Sequence, residues 1–176
     1  ALAERLRADR GVDVDPERVI VTPGTQASLA LVAATLADPG ERALVEHPGY
    51  AGARAAFLAA GLELVPLPVD AAGADIAAAD APDARLAYVT PSNQHPTAVR
   101  LPLGRRQALA DWARTAGAVL VEDDYDSEFH WRGRAIGALQ PLAPECVVYL
   151  GSAAKSLAPG LRLGWMVVPG PLAEPL

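Results

Sequence analysis

Residues 150–164 read LGSAAKSLAPGLRLG, and they follow directly on the apolar run 146–150, CVVYL. A short run that is apolar at every position, then breaks into small residues, is how a strand covered on both faces ends. Lys155 stands in that break, with Arg162 further along the same turn. A structural lysine normally lies on a helix face or among exposed polar residues, where its stem covers apolar surface. Here it comes where the chain has just left a sheet, and in doubly wound sheets ligands bind beyond the carboxyl ends of the strands. A desolvated lysine in such a place tends towards a lowered pKa, which favours nucleophilic amine chemistry and Schiff bases. Ser152 and Arg162 would suit a phosphate, as a hydroxyl donor and a guanidinium fork. Taken alone, the segment reads first as a loop with an ordinary lysine and arginine.

The strand pattern recurs along the chain. Apolar or β-branched runs predict strands at 18–22, 43–46, 62–69, 85–90, 118–122, 146–150 and 163–168. Ala-rich stretches between them predict helices at 25–36, 50–60 and 103–115, and the opening ALAERLRADR also reads as helical. Strand–helix alternation at this spacing predicts an α/β fold, a three-layer α/β/α arrangement around a mostly parallel central sheet. Asp38-Pro39-Gly40, Gly61 and Gly117 fall where helices should end. Residues 70–83 are Ala/Asp-rich without periodicity and predict a loop with a short helix. The last strands lack an intervening helix, so the end of the sheet is expected to be antiparallel.

Composition bounds the function. At 176 residues, with 51% apolar and 20% charged residues, the chain carries material for one sizeable core and is not a solvating, disordered polymer. Fifteen Lys and Arg against 21 Asp and Glu give a net charge of −6 without a basic stripe, which argues against a nucleic-acid surface on this stretch. One cysteine excludes an internal disulfide and a Cys-based zinc site and suits a reducing, cytoplasmic setting. The first residues do not read as a signal peptide, and no apolar run approaches membrane length. The Pro-rich end, PGPLAEPL, and the start within a helix read as a piece of a longer chain. No GxGxxG or GxSxG motif is present, and the GSAAKS run lacks the glycine before lysine that a P-loop needs. His47, His95 and His130 form no HExxH pair. Glu122, Asp123, Asp124, Asp126 and Glu128 are dense enough to suggest a hard-metal site, but acids after a strand more often cap or solvate, and no metal is expected.

Four further segments shift the reading of Lys155. Residues 119–129, VLVEDDYDSEF, run from an apolar strand into acids and a tyrosine. A lysine that carries pyridoxal phosphate needs an acid to keep the pyridine nitrogen protonated. Asp123, one predicted strand before Lys155, stands at a neighbouring strand end, and strand parity puts Tyr125 on its face. The strand–turn–helix 21–28, VTPGTQAS, offers free N–H groups at Gly24, Thr25 and Gln26 ahead of a helix dipole, which is an anion site or a plain helix cap. Tyr50, in the EHPGY segment after a strand, is placed to stack on a planar ring or simply to pack. The polar loop 90–98, TPSNQHPTA, brings several groups within reach of a cofactor.

In this order the segments resemble fold-type I pyridoxal-phosphate enzymes, the class I/II aminotransferases. Within them the chain most resembles the aminotransferase-like domain of MocR-type regulators, a subgroup of the GntR superfamily. The strings that carry the narrower resemblance are HPGYAGARAAFLAAG, VEDDYDSEFHWRGR and YLGSAAKSLAPGLRLG. The resemblance implies the large domain of the fold, with pyridoxal 5'-phosphate as cofactor and Lys155 as its Schiff-base lysine. It further implies Asp123 as partner of the pyridine nitrogen, Tyr125 on the ring hydroxyl and Tyr50 stacked on the ring. Gly24, Thr25, Gln26, Ser152 and Arg162 match phosphate-binding positions. In the polar loop, Asn93 stands where the family usually has histidine, His95 where it has phenylalanine and Ala98 where it has glycine, so the ring hydroxyl contact falls to Asn93 or His95. Ala154 replaces a frequent serine.

Two functions follow from the resemblance. One is an effector domain that holds pyridoxal phosphate and senses an amine, an amino acid or the vitamer. In that case DNA contact is made by a winged helix–turn–helix outside residues 1–176. The other is a transaminase, in which Lys155 also moves the α-proton. A degenerate domain that keeps the fold without cofactor is a third possibility. The resemblance also implies a homodimer, and a small C-terminal domain, outside this stretch, that supplies the substrate-carboxylate arginine.

Overall fold

The structure is a computed structural model that describes residues 2–126 and 137–176. Its centre is an eight-stranded sheet: β1 (Val19–Thr22), β2 (Arg42–His47), β3 (Glu63–Asp70), β4 (Gly73–Ala74), β5 (Leu86–Val89), β6 (Val119–Asp124), β7 (Val147–Ser152) and β8 (Gly164–Val167). The spatial order is β1-β8-β7-β6-β5-β2-β3-β4. Strands β3, β2, β5, β6 and β7 are mutually parallel, and β8 runs antiparallel to both β7 and β1. The predicted mostly parallel sheet is present, and its antiparallel end is where the missing helix placed it. Because β1 opposes β8, it runs with the parallel strands, so its carboxyl end reaches the same edge as theirs.

Among the described residues four helices cover the sheet: α1 (Leu2–Arg10), α2 (Thr25–Leu36), α3 (Ala51–Ala59) and α4 (Leu103–Ala116). Helix α2, TQASLALVAATL, is apolar nearly all round because it is sandwiched between the sheet and α3. Leu29, Val32 and Ala33 of α2 and Ala53 and Phe57 of α3 pack on Val45, Tyr88, Val121, Val148 and Leu150. On the opposite face Leu109, Ala110 and Ala113 of α4 meet Leu44, Val89 and Leu120. Helix α1 covers the far end of that same face, where Leu6 packs with Val12, Val14, Tyr149 and Val167. Each fully buried Leu, Val or Phe contributes roughly 1.5–3 kcal/mol over its exposed state. Helix α4 stops at Gly117, whose φ of 63° accepts the left-handed turn without a Cβ penalty.

Residues 70–83 hold the short strand β4 and a single helical turn at Ile76–Ala78, close to the predicted loop with a short helix. The chain reaches β3 and β4 on one side of β2, then returns through β5 to its other side. That reversal opens a crevice at the carboxyl ends of β2 and β5, where open α/β sheets bind ligands. Among the described residues no helix is long and apolar enough to cross a membrane. Glu128 and His130, and most of the segment after Asp126 that carried the narrower resemblance, lie outside the described residues.

Candidate functional site

At that crevice lies an open cavity of about 280 Å³ lined by Thr25, Tyr50, Tyr88, His95, Asp123, Tyr125, Ser152, Ala154 and Lys155. The topology explains the gathering. Tyr50 follows β2, Tyr88 lies in β5 and His95 in the loop beyond it, Asp123 is the last residue but one of β6, and Ser152 closes β7. Thr25 opens α2, so the first turn of that helix, with its unsatisfied N–H groups, points its positive end at the cavity.

Asp123 forms the floor. It is 4% exposed, and Tyr88 donates its hydroxyl to Oδ2 at 2.8 Å. Its Oδ1 is buried and has no hydrogen-bond partner among the described residues. Burial pushes this carboxyl from 3.8 up to about 7, against the lowering pull of the Tyr88 hydrogen bond; the Asp124, Glu46 and Asp126 charges add to the rise. That oxygen is open to a hydrogen-bonding group that enters the cavity.

The walls are aromatic. The Tyr50 and His95 rings meet edge to face at 5.9 Å, and His95 meets Tyr125 at 6.3 Å in the same way. The Tyr50 ring leans over Gly52, where a Cβ would collide with both that ring and the Gln26 side chain. Tyr125 donates its hydroxyl to the Asn93 carbonyl at 3.1 Å. Burial, followed by the charges of Asp126, Asp123 and Glu46, pushes this phenol up to about 12, so it remains a donor across the physiological range.

Glu46 holds the two loops that carry Tyr50 and His95. It is 1% exposed and accepts from the Thr90 hydroxyl at 2.6 Å and its N–H at 3.2 Å. Gln94 donates to Glu46 at 3.2 Å, to the Pro48 carbonyl at 2.9 Å and to the His95 carbonyl at 2.7 Å. Burial raises the Glu46 carboxyl above its ordinary value, and these hydrogen bonds oppose the rise.

Of the residues singled out in the sequence, Thr25, Tyr50, His95, Asp123, Tyr125, Ser152 and Lys155 meet around the cavity. Gly24 adjoins it through the turn into α2, with a φ of 94°. A Cβ on Gly24 would stand 3.9 Å from the Arg162 carbonyl, so the two turns touch. The Arg162 side chain is exposed and does not line the cavity. Gln26 turns to the Gly52 carbonyl at 3.0 Å, and Asn93 donates to Asp126 at 3.0 Å. Of the two candidates in the polar loop, His95 is the one on the cavity wall. Lys155 differs from expectation. It lines the cavity but its side chain is exposed rather than desolvated, because the turn from β7 to β8 leaves the sheet at the open mouth.

Tyr88 was not among the residues singled out. Its signal was a tyrosine inside the apolar strand LAYV, since a buried phenol must find a polar partner. Among the described residues, the other acids of the β6 end do not converge on a common point. Glu122 accepts the Leu139 and Gln140 N–H groups at 2.7 and 2.8 Å, and Asp124 pairs with Arg10 at 2.7 Å on the opposite face of the sheet.

Comparison with known proteins agrees with this geometry. The chain is 46% identical over 175 residues to the probable rhizopine catabolism regulatory protein MocR of Rhizobium meliloti, covering 99% of this chain and 36% of that protein. It is 37% identical over 175 residues to the HTH-type pyridoxine biosynthesis transcriptional regulator PdxR of Corynebacterium glutamicum, covering 99% of this chain and 38% of that protein. The chain therefore spans little more than a third of the length of these relatives. The crystal structure of LysN, the alpha-aminoadipate aminotransferase of Thermus thermophilus, complexed with N-(5'-phosphopyridoxyl)-L-leucine, superposes with a TM-score of 0.85 at 31% identity. That likeness covers 98% of this chain and 52% of the enzyme. The model of aminotransferase class I and II matches residues 1–175. With its sheet order, its cavity and this match in agreement, the chain belongs to the aminotransferase class I and II family.

Proposed function

We propose that this chain is the large, pyridoxal-phosphate-binding domain of an aminotransferase-like effector module in a MocR/GntR-type transcriptional regulator. In this reading the module senses an amine, an amino acid or the vitamer, works as a homodimer, and leaves DNA contact to a separate domain. The observation that carries the proposal is the buried Oδ1 of Asp123, without a partner among the described residues, on the floor of an aromatic-walled cavity with a lysine at its mouth. The similarity to MocR and PdxR favours a regulator. The similarity to an aminotransferase structure supports the cofactor.

The residues fit that cofactor. Bound pyridoxal phosphate supplies an aldehyde for amines and a ring that withdraws electrons. Asp123 would accept from the ring nitrogen and hold its proton, while Tyr88 fixes the other carboxylate oxygen. Tyr50 would stack on the ring, and Tyr125 and His95 would serve its hydroxyl edge. The first turn of α2 with Gly24, Thr25 and Gln26, together with Ser152 and Arg162, would take the phosphate. Lys155 would provide the amine that holds the cofactor covalently. The same residues would serve a transaminase, so the two activities are separated by turnover rather than by the site.

The test uses the full-length protein that carries this chain. Titration with pyridoxal phosphate should produce a visible absorption band and a borohydride-reducible adduct, both lost in Lys155→Ala. A wild type without the band, or a Lys155→Ala variant that keeps the reducible adduct, refutes the site. Steady transamination of an amino-acid panel would replace the sensor reading with the enzyme reading.

A further inference from the structure

We propose that Arg10 is a positioning residue for the cavity, and that through it the docking of helix α1 is coupled to occupancy of the site; this rests on the cofactor-binding reading above. Arg10 is the last residue of α1, and its side chain is 6% exposed. Its Nε and Nη2 donate to Asp124 Oδ2 and Oδ1 at 2.7 and 3.1 Å, and Nη2 also donates to the Ser92 hydroxyl at 2.6 Å. Tyr149 donates to the same carboxylate at 2.6 Å. One planar guanidinium thus ties α1 to two segments that stand 82 and 114 residues away in sequence.

Both tied segments continue directly into the cavity wall. Asp124 lies between Asp123 and Tyr125. Ser92 precedes Asn93, whose carbonyl accepts the Tyr125 hydroxyl and whose amide donates to Asp126. Two residues beyond Asn93 is His95, held by its N–H to the Thr90 hydroxyl at 3.0 Å. The backbone around Arg10 is anchored as well. Its carbonyl accepts from the Ala138 N–H at 2.8 Å, and the Gln140 side chain pairs with both the N–H and the carbonyl of Asp13 at 2.9 Å. Helix α1 is therefore clamped at its carboxyl end, from the opposite face of the sheet, to the two segments that continue into the cavity wall, while its earlier turns bury Ala3 and Leu6. A ligand that fixes Asp123 and the polar loop must then stabilise α1 docking, and docked α1 must by linkage favour the ligand equally.

The experiment has two arms, both on the full-length protein. In the first, cofactor-free wild type is compared with Arg10→Gln, Arg10→Lys and Ser92→Ala by amide hydrogen exchange. Ser92→Ala removes one arm of the clamp while leaving the ion pair, so it keeps the test intact if Arg10→Gln does not fold. The proposal expects the His95 and Thr97 amides to exchange several-fold faster in all three variants, least in Arg10→Lys, with α4 unchanged. In the second arm, pyridoxal phosphate should slow exchange across residues 2–10 in wild type. The variants should lose that protection, bind the cofactor roughly tenfold more weakly, and show a shifted visible band. Loop amides that exchange as in wild type in Ser92→Ala and Arg10→Lys overturn the proposal. So does a helix α1 indifferent to cofactor in a protein that binds it. If wild type binds no cofactor, the functional reading fails, and the first arm alone decides the role of Arg10.

Discussion

Strand β6 ends in three consecutive acids, and the pleat sorts them onto two faces that treat them differently. On the α1/α4 face Glu122 and Asp124 are saturated. Glu122 takes two backbone N–H groups, and Asp124 takes the Arg10 fork and the Tyr149 hydroxyl. On the α2/α3 face Asp123 has a donor on one oxygen and none on the other among the described residues. Burial is equally deep on both sides, at 0% exposure for Glu122, 5% for Asp124 and 4% for Asp123. The difference therefore lies in partners. A satisfied buried acid holds a scaffold together, whereas an incompletely satisfied one beside a cavity is open to a further hydrogen-bonding partner.

The sharpest way to break this comparison is to remove one acid from each face. Asp124→Ala takes away the carboxylate to which Arg10 and Tyr149 donate, and loss of one partner of a buried pair costs about 3–5 kcal/mol. Asp123→Asn keeps an acceptor for the Tyr88 hydroxyl and removes a charge that burial disfavours. In the cofactor-free, full-length protein it should leave the unfolding midpoint at pH 8 unchanged or raised, while it lowers affinity for pyridoxal phosphate steeply. Chemical denaturation with and without cofactor reads both effects. Equal destabilisation by the two substitutions would erase the distinction between the faces.

The pH dependence sharpens the same contrast. Burial carries Asp123 from 3.8 and Glu122 from 4.5 to about 7 in the folded protein. Below about pH 3 both folded and unfolded chains hold these protons, so the groups contribute no pH dependence. Between there and about 7 the folded chain holds protons that the unfolded chain has released, so stability must fall as pH rises through that window. Each group contributes on the order of 2–3 kcal/mol, so the cofactor-free protein should lose on the order of 5 kcal/mol between pH 5 and pH 8. Asp123→Asn should remove part of that slope. A bound ring nitrogen that keeps Asp123 ionised should remove a similar part. A slope unaffected by either would show that Glu122 alone carries it.

The sequence made the cavity face legible and the scaffold face almost invisible, and the reason is physical. Lys155, Asp123, Tyr50 and the glycine turn before α2 each stand at or just beyond a strand end, so their chemistry is concentrated at the ends of apolar runs, where period and position both point to it. The strands themselves were readable because their burial on both faces forces a continuous apolar string. The scaffold depends on long-range pairing. Arg10 looks like one more charge on an amphipathic opening helix, and nothing local marks it for burial against Asp124 and Ser92. Glu46 and Gln94 sit in segments that sequence reading flagged, but their mutual hydrogen bond joins the end of β2 to the loop beyond β5, which only the folding of β2 beside β5 brings together. Lys155 was legible as a residue and misjudged in its surroundings, since exposure depends on what packs over a turn rather than on the turn itself.

The polar loop 90–98 joins the two faces, with Ser92 on the Arg10 side and His95 on the cavity side, and its last residue offers the smallest test. Ala98 has a φ of 59°, in the left-handed region, and its N–H donates to the Gln94 carbonyl at 2.6 Å. A Cβ in that conformation costs roughly 1–2 kcal/mol. Glycine avoids the cost but gives back about 0.4–1 kcal/mol through the greater freedom of its unfolded chain. Ala98→Gly should therefore stabilise the protein by about 0.5–1 kcal/mol, a rise of a few degrees or less in the thermal midpoint. The side chain is exposed and touches neither face, so cofactor affinity and α1 exchange should both stay at wild-type values. A loss of stability would mean that the loop does not hold residue 98 left-handed in solution. The Gln94 hub would then be looser than the hydrogen bonds around Glu46 require, and the two faces would be less firmly joined through this loop than through Arg10.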